Sequence, residues 1–361
     1  MKGARAITVV GHFAYARGDE GDKKVFGGQT AKCRTLAGYL SGKFGSASLD
    51  YVDTYQWKRR LFDVVSHCVR AARRGDVVLL VLSRNGLSAL LPLLVTLRKR
   101  YFFAIGYVVV GAWLVEACKE DRKLLSSLQK IDEIFAETTK QRDDLRKLGL
   151  SCVSYVPNAK HLPVLDCPWD VSKPNGEVRF CTFSRVCKDK GITDAIEAVS
   201  MANSILGSDI CRLDIYGTVD KSFSDEFYKL VEENAHCASY KGSVPADESV
   251  TAISCCAALL FPTYHDGFPG TVIDGLAAGV PIIAYEWDYA HYVIDEGLTG
   301  VIVPSCDIDA LANVIVDFAS SPSKYEYMRK NCLIAAEAYQ PENAMKPIFD
   351  FIQQGSILAT D

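Results

Sequence analysis

The chain has 361 residues, of which 49% are hydrophobic and 23% charged, with a formal net charge of −4. Such a length exceeds what one hydrophobic core serves, and at roughly 100–200 residues per domain it points to two. No stretch of this composition approaches the roughly 18–20 apolar residues of a membrane-spanning helix, so a soluble protein is expected.

Short β-branched runs alternate with longer amphipathic stretches from end to end, the pattern of parallel strands joined by helical crossovers. The apolar run near the N-terminus is too brief for a signal peptide and leads into Gly11, so Ala6–Val10 reads as the first strand. Further strands are expected at Leu49–Asp53, Asp76–Leu82, Phe102–Val110, Glu133–Glu137 and Cys152–Val156, with helices over 30–43, 58–74, 87–100, 113–130 and 139–149. Pro157, Pro163, Pro168 and Pro174 then crowd together with an Asn175-Gly176 turn signal, which marks a boundary and linker. A second series follows, with strands at Val178–Phe183, Arg212–Tyr216, Ser239–Lys241, Ala257–Phe261, Pro281–Tyr285 and Gly300–Val303. Helix patterns over 322–338 and 341–354 are broken at Gln340-Pro341, where the chain is expected to turn back towards the first domain. The expected division is 1–160, 161–335 and a returning helical segment 336–361.

The small net charge hides a large asymmetry. Residues 1–160 hold 27 Lys+Arg against 15 Asp+Glu, a surplus of +12, whereas residues 161–361 hold 13 against 29, a surplus of −16. Basic clusters in the first half are Lys58-Arg59-Arg60, Arg70, Arg73-Arg74 and Arg98-Lys99-Arg100. A single cluster of this kind is commonly just solvated; asymmetry across a whole domain favours an anionic surface such as a membrane face. The thirteen cysteines are odd in number, scattered and without a CxxC pair, as in Cys181, Cys211 and Cys255-Cys256. They read as free thiols in a reducing cytosol rather than a disulfide or zinc framework.

Three segments carry chemistry. In the run from Phe261 to Ala284 a buried strand ends at Pro262, a Gly- and Pro-rich loop follows, and a helix opens near Thr271. Ligands of open α/β sheets bind at such carboxyl ends, where a helix N-terminus offers free amides to an anion. Asp266 and Asp274 bracket that loop. In the first strand-to-helix unit of the second domain, Arg185 and Lys190 stand five residues apart. Preorganised cations in a sheltered crevice stabilise a diphosphate that gains charge as it departs. Near the N-terminus Gly27-Gly28-Gln29-Thr30 enters a helix, and paired glycines let a backbone approach a phosphate closely.

These segments resemble glycosyltransferase family 4, whose members carry two acidic residues separated by seven others, then a small-residue helix and a Gly-x-Pro step. The bacterial capsule and exopolysaccharide branch is similar further along, at Ser83-Arg-Asn-Gly86 and at Tyr107-Val-Val-Val-Gly-Ala-Trp113-Leu. The resemblance implies a GT-B architecture of two doubly wound, Rossmann-like α/β domains facing across a cleft. It also implies a retaining hexosyltransferase that moves a sugar from a UDP- or GDP-sugar donor and needs neither metal nor cofactor. Arg185 and Lys190 would grip the donor diphosphate, Asp266 the sugar hydroxyls and Asp274 the ribose. Gly267, Phe268, Gly270 and Thr271 would hold sugar and phosphates, Gly27, Gly28 and Gln29 would face the phosphate, and Gly217, Tyr240 and Lys241 would lie by the base. The implied acceptor is a polyprenyl-diphosphate-linked glycan, with the protein cytoplasmic and peripheral at the inner face of the cell membrane, and no nucleic acid partner.

Two departures stand out. The family usually has Glu at both acidic places, and its His near the sugar is replaced by Val110-Gly111-Ala112-Trp113. His12 or His265 is then the imidazole left to approach the site. Two other readings stay open: a GT-B nucleotide-sugar epimerase, and a catalytically silent nucleotide-sugar-binding partner of a second transferase. Asp307-Ile-Asp309 spells a metal-type DxD but precedes a helix, where acids favour the dipole and cap the first turn.

Overall fold

The computed structural model describes residues 6–14, 28–163, 176–245 and 247–357. They fall into two compact units: Met1–His161 together with Gln340–Asp361, and Leu162–Tyr339. The first opens with β1 (Ile7–Gly11), α1 (Gly28–Phe44), β2 (Leu49–Asp53), α2 (Leu61–Arg74), β3 (Val77–Val81) and α3 (Arg84–Leu97). It continues with β4 (Ala104–Val108), α4 (Leu114–Glu120), α5 (Arg122–Leu128), β5 (Glu133–Ala136), α6 (Thr139–Lys147) and β6 (Val153–Tyr155). The second begins with β7 (Val178–Phe183), α7 (Ile192–Leu206), β8 (Cys211–Tyr216), α8 (Ser224–Glu233), β9 (Ala238–Gly242) and α9 (Ser249–Ser254). After these come β10 (Ala258–Phe261), α10 (Gly270–Ala277), β11 (Ile282–Tyr285), β12 (Gly300–Val303), α11 (Ile308–Ser320) and α12 (Glu326–Ala336). Helices α13 (Pro341–Ala344) and α14 (Lys346–Ile357) rejoin the first unit.

The first unit holds a six-stranded parallel sheet in the order β2-β1-β3-β4-β5-β6. Its central strand β3 is apolar at every position, Val-Val-Leu-Leu-Val, because both faces of a parallel sheet are covered. The strand's two-residue period divides these side chains. Val78 and Leu80 join a core with α2 to α6, while Val77, Leu79 and Val81 pack with α1 and with Met345, Ile348 and Ile352 of the C-terminal segment. The C-terminal helices therefore supply a share of one face's apolar cover.

The second sheet runs β12-β11-β10-β7-β8-β9, again all parallel. Counted from β7, this is the doubly wound order 3-2-1-4-5-6 read from the far edge. Phe180, Leu213, Leu260 and Ile283 make one core with Ile196 and Val199 of α7 and Leu311 and Ile315 of α11. Leu259 lies 3.1 Å from where a Cβ on Gly275 would stand, so α10 sits close to the sheet on a glycine.

Helix boundaries differ from the sequence pattern where a polar side chain intervenes. The single helix expected over 113–130 is two. Asp121 leaves helical torsions (φ −114°, ψ 95°), and its carboxylate accepts from the amides of Lys123 at 2.9 Å and Leu124 at 3.1 Å. It thus caps α5 and ends the hydrogen-bond ladder of α4. Similarly the expected helix over 322–338 is α12 flanked by 3₁₀ turns at Pro322–Tyr325 and Glu337–Tyr339. Asp307 caps α11, its Oδ1 accepting from Ala310 N at 2.8 Å.

Candidate functional site

In the second unit the succession of strands reverses between β7 and β10. Loops that leave two such neighbours splay apart and open a crevice at the carboxyl ends of the strands. The loop after β7 carries Arg185 and Lys190, and the loop after β10 carries Asp266. Residues 76 apart in the chain meet there: Lys190 Nζ lies 2.5 Å from Asp266 Oδ2 and 3.4 Å from Thr263 Oγ1. The ammonium also stands 5.7 Å above the Phe261 ring. Asp266 Oδ1 accepts from Gly267 N at 2.8 Å, so both carboxylate oxygens are engaged. The two side chains are 19% and 23% exposed, which shields the pair from bulk water while leaving a ligand access to it.

The backbones of the two loops are locked by direct contact. Tyr264 N donates to Asp189 O at 3.1 Å, and Thr263 Oγ1 lies 3.3 Å from the same carbonyl and 3.1 Å from His265 O. Gly191 has φ +61°, and a Cβ there would stand 2.0 Å from Pro262 O. Gly217 has φ +138°, and its Cβ would stand 1.7 Å from Ser184 O. Only glycine combines those torsions with that closeness. Thr271 adds a further tie, donating from Oγ1 to Phe183 O at 2.7 Å and holding the first turn of α10 to the end of β7.

The remaining expected residues fall into distinct surroundings. Arg185 is exposed on the β7 loop. The Asp220 carboxyl is held below the usual range by Ser222, through backbone amide and hydroxyl, with the Arg185 charge adding to the effect. Gly270 is the first residue of α10 and Asp274, one turn on, is buried at 3% exposure. The Phe268 ring is buried and meets Tyr339 edge-on at 5.4 Å. Tyr240 donates from its hydroxyl to Gly217 O at 2.8 Å. Lys241 Nζ lies 3.3 Å from Asp214 Oδ1, while Arg179 Nη1 lies 3.2 Å from Asp214 Oδ2. Tyr240 and Lys241, expected beside a base, thus direct their polar groups to the Gly217 turn and to a buried carboxylate.

In the first unit Gly27 lies outside the described residues. Gly28 opens α1, Gln29 Nε2 donates to Val81 O at 3.1 Å, and His12 Nδ1 lies 2.7 Å from Thr30 Oγ1. The sequence pattern gave no place to the buried charge pair next to them. Lys32 Nζ lies 2.6 Å from Glu137 Oε1 and 2.7 Å from Val109 O, both side chains about 5% exposed or less. Glu137 Oε2 in turn accepts from Gly111 N at 2.8 Å, and Gln141 Nε2 donates to Gly111 O at 3.0 Å. Gly111 is therefore held at its N–H by the ion-paired Glu137 and at its carbonyl by the Gln141 amide. A Lys on the buried face of α1 was the available signal. Among the described residues no three His, Cys, Asp or Glu side chains are grouped to hold a metal ion.

Residues 168–332 match the family of glycosyl transferases group 1. That segment contains both loops just described. The chain is 21% identical over 233 residues to poly(glycerol-phosphate) alpha-glucosyltransferase of Bacillus subtilis, covering 62% of this chain and 32% of that protein. It is 23% identical over 215 residues to the GtfA subunit of the UDP-N-acetylglucosamine–peptide N-acetylglucosaminyltransferase of Streptococcus pneumoniae, covering 59% and 40%. The match thus spans well under half the length of either relative. Among solved structures, sucrose-phosphate synthase of Thermosynechococcus elongatus superposes with a TM-score of 0.75 at 18% identity, over 99% of this chain and all of that one. Anabaena HepE in complex with UDP gives 0.74 at 12% identity, over 97% of this chain and all of that one. The fold is GT-B: two parallel-sheet, Rossmann-like α/β domains.

Proposed function

We propose that the chain is a retaining, metal-independent glycosyltransferase of family 4 that moves a hexose from a UDP- or GDP-sugar to a polyprenyl-diphosphate-linked glycan in bacterial capsule or exopolysaccharide synthesis. The observation that carries this reading is the Lys190–Asp266 pair at the strand reversal of the second unit. It sets a cation for a diphosphate beside a carboxylate for sugar hydroxyls, inside the segment that matches the group 1 family. Arg185, exposed on the same loop, adds a second cation, and Asp274 supplies the carboxylate for the ribose. In the step proposed, the acceptor hydroxyl attacks the anomeric carbon on the face from which the diphosphate leaves. Its proton passes to a donor phosphate oxygen as the bond from the anomeric carbon to the diphosphate breaks. Lys190 and Arg185 neutralise the charge that accumulates on the leaving diphosphate.

The test is release of UDP or GDP by the purified chain across a panel of nucleotide sugars and polyprenyl-diphosphate glycans, with and without EDTA. Release that needs the lipid-linked acceptor and persists in EDTA is expected. Tight nucleotide binding without turnover would replace transfer by the silent-partner reading, and loss of release in EDTA would overturn metal independence.

The lipid acceptor and the peripheral membrane site draw on the first unit. No helix among the described residues is long and apolar enough to cross a membrane. Phe62 is 88% exposed at the start of α2, with Leu61 also exposed, directly after Lys58-Arg59-Arg60. Phe102, 68% exposed, directly follows Arg98-Lys99-Arg100-Tyr101. Several basic residues are paired within the chain, namely Arg60 with Asp63, Arg74 with Asp50 and Asp76, and Arg98 with Asp132. Lys58, Arg59, Lys99 and Arg100 are outside those pairs and lie beside the exposed rings, an arrangement suited to anionic headgroups. Replacing Lys58 and Phe62 together by Ser is expected to weaken binding to phosphatidylglycerol-containing vesicles by roughly tenfold, at about 1 kcal/mol per basic residue, while thermal stability is unchanged. Equal sedimentation of variant and parent with those vesicles would remove the membrane assignment.

A further inference from the structure

One buried carboxylate next to the candidate site has no part in the chemistry proposed so far. Asp194 is the third residue of α7, 9% exposed, and stands four residues after Lys190. The first turn of a helix favours its negative charge. Its two oxygens each lie 3.1 Å from the Tyr264 hydroxyl, and Oδ2 lies 2.9 Å from the hydroxyl of Tyr285 on β11. Tyr264 and Tyr285 stack at 6.2 Å with a 12° interplanar angle. Burial first, and the Asp194 charge second, push the Tyr264 phenol up to about 12. Both phenols consequently stay protonated across the physiological range and donate to the carboxylate. Tyr264 belongs to the β10 loop, directly after Thr263 and two residues before Asp266. The loop that presents Asp266 is therefore anchored from beneath by a carboxylate of the helix that follows Lys190.

We infer that Asp194 and Tyr264 are positioning residues, which set the distance between the Lys190 ammonium and the Asp266 carboxylate by tying the β10 loop to the first turn of α7. The inference rests on the functional reading above and adds a specific device to it. A buried, satisfied polar network costs desolvation that apolar packing avoids, and its return is a single fixed geometry. Tyr285 makes the same kind of bond to Asp194 from the last residue of β11, without belonging to either loop that carries Lys190 or Asp266, and so serves as the internal control.

The experiment measures affinity for UDP and for GDP by titration calorimetry, alongside melting temperature, for the full chain and for Tyr264→Phe, Tyr285→Phe, Lys190→Ala and the double variant Lys190→Ala/Tyr264→Phe. Tyr264→Phe keeps the ring stack and removes only the anchoring hydroxyl. The expected result is a roughly tenfold loss of nucleotide affinity, the scale of one hydrogen bond to a charged group. Tyr285→Phe is expected to stay within about twofold of the parent while its melting temperature falls at least as far. In the Lys190→Ala background, Tyr264→Phe is expected to cause no further loss, because the side chain through which it acts is gone. Unchanged affinity in Tyr264→Phe, equal losses in the two Tyr variants, or additive losses in the double variant would each overturn the inference and leave the functional reading standing. A parent chain that binds neither nucleotide would instead overturn the functional reading and the inference with it.

Discussion

Lys190→Ala is expected to lower turnover with the cognate donor by roughly a hundredfold to a thousandfold, the scale seen when one preorganised electrostatic contact to developing charge is removed. The physical reason is where the ammonium sits. It is held by Asp266 and Thr263 in a shielded position at the carboxyl ends of β7 and β10, so little reorganisation is needed when a diphosphate arrives. The loss should fall mainly on kcat, since the charge that Lys190 meets grows as the sugar leaves. Folding should suffer far less. At 19% and 23% exposure the pair remains partly solvated, and losing it costs about 1–2 kcal/mol. Arg185→Ala, at an exposed position, is expected to cost about tenfold or more in turnover with almost no change in melting temperature. Steady-state kinetics with matched thermal melts decides the matter; parental turnover in both variants would refute the role given to these cations.

For stability the largest effect is expected in the first unit. Lys32→Met leaves the Glu137 carboxylate buried without its cation, and breaking a buried pair in this way costs about 3–5 kcal/mol. In a domain of this size that lowers the melting temperature by on the order of 10 °C. The second substitution of a double variant, Glu137→Gln, removes the uncompensated charge while keeping an acceptor for Gly111 N, and should return at least half of the loss. Calorimetric melts of parent, single and double variants give the answer. A single variant within about 1 kcal/mol of the parent, or a double variant no more stable than the single, would show that the pair does not hold the Gly111 turn.

Much of the architecture was legible in the residues. Apolar runs such as Val77–Val81 mark strands covered on both faces, and β2, β7 and β12 begin and end where the pattern placed them. Helix ends were less legible, because Asp121 reads as one more polar residue on an amphipathic stretch until its carboxylate is seen to accept two amides. At the candidate site, the loops carrying Arg185, Lys190 and Asp266 could be recognised from strand ends followed by glycine, proline and charge. The resemblance placed Tyr240 and Lys241 by the base, and the local sequence did not show that their polar side-chain groups reach Gly217 O and Asp214. Side-chain direction at a strand's end depends on which buried partner lies across the sheet, and local sequence carries no record of that partner.

Hydrophobic periodicity, proline and glycine act over a few residues, so the two parallel-sheet units and the charged loops at the strand ends could be read from the chain's local pattern. Tertiary structure alone decided that Lys190 meets Asp266 across 76 residues, that Asp194 reaches Tyr264 and Tyr285, and that Lys32 neutralises Glu137. Those pairings depend on strand order, and strand order follows from how helices cover both faces of each sheet, a property of the whole unit that no short segment contains.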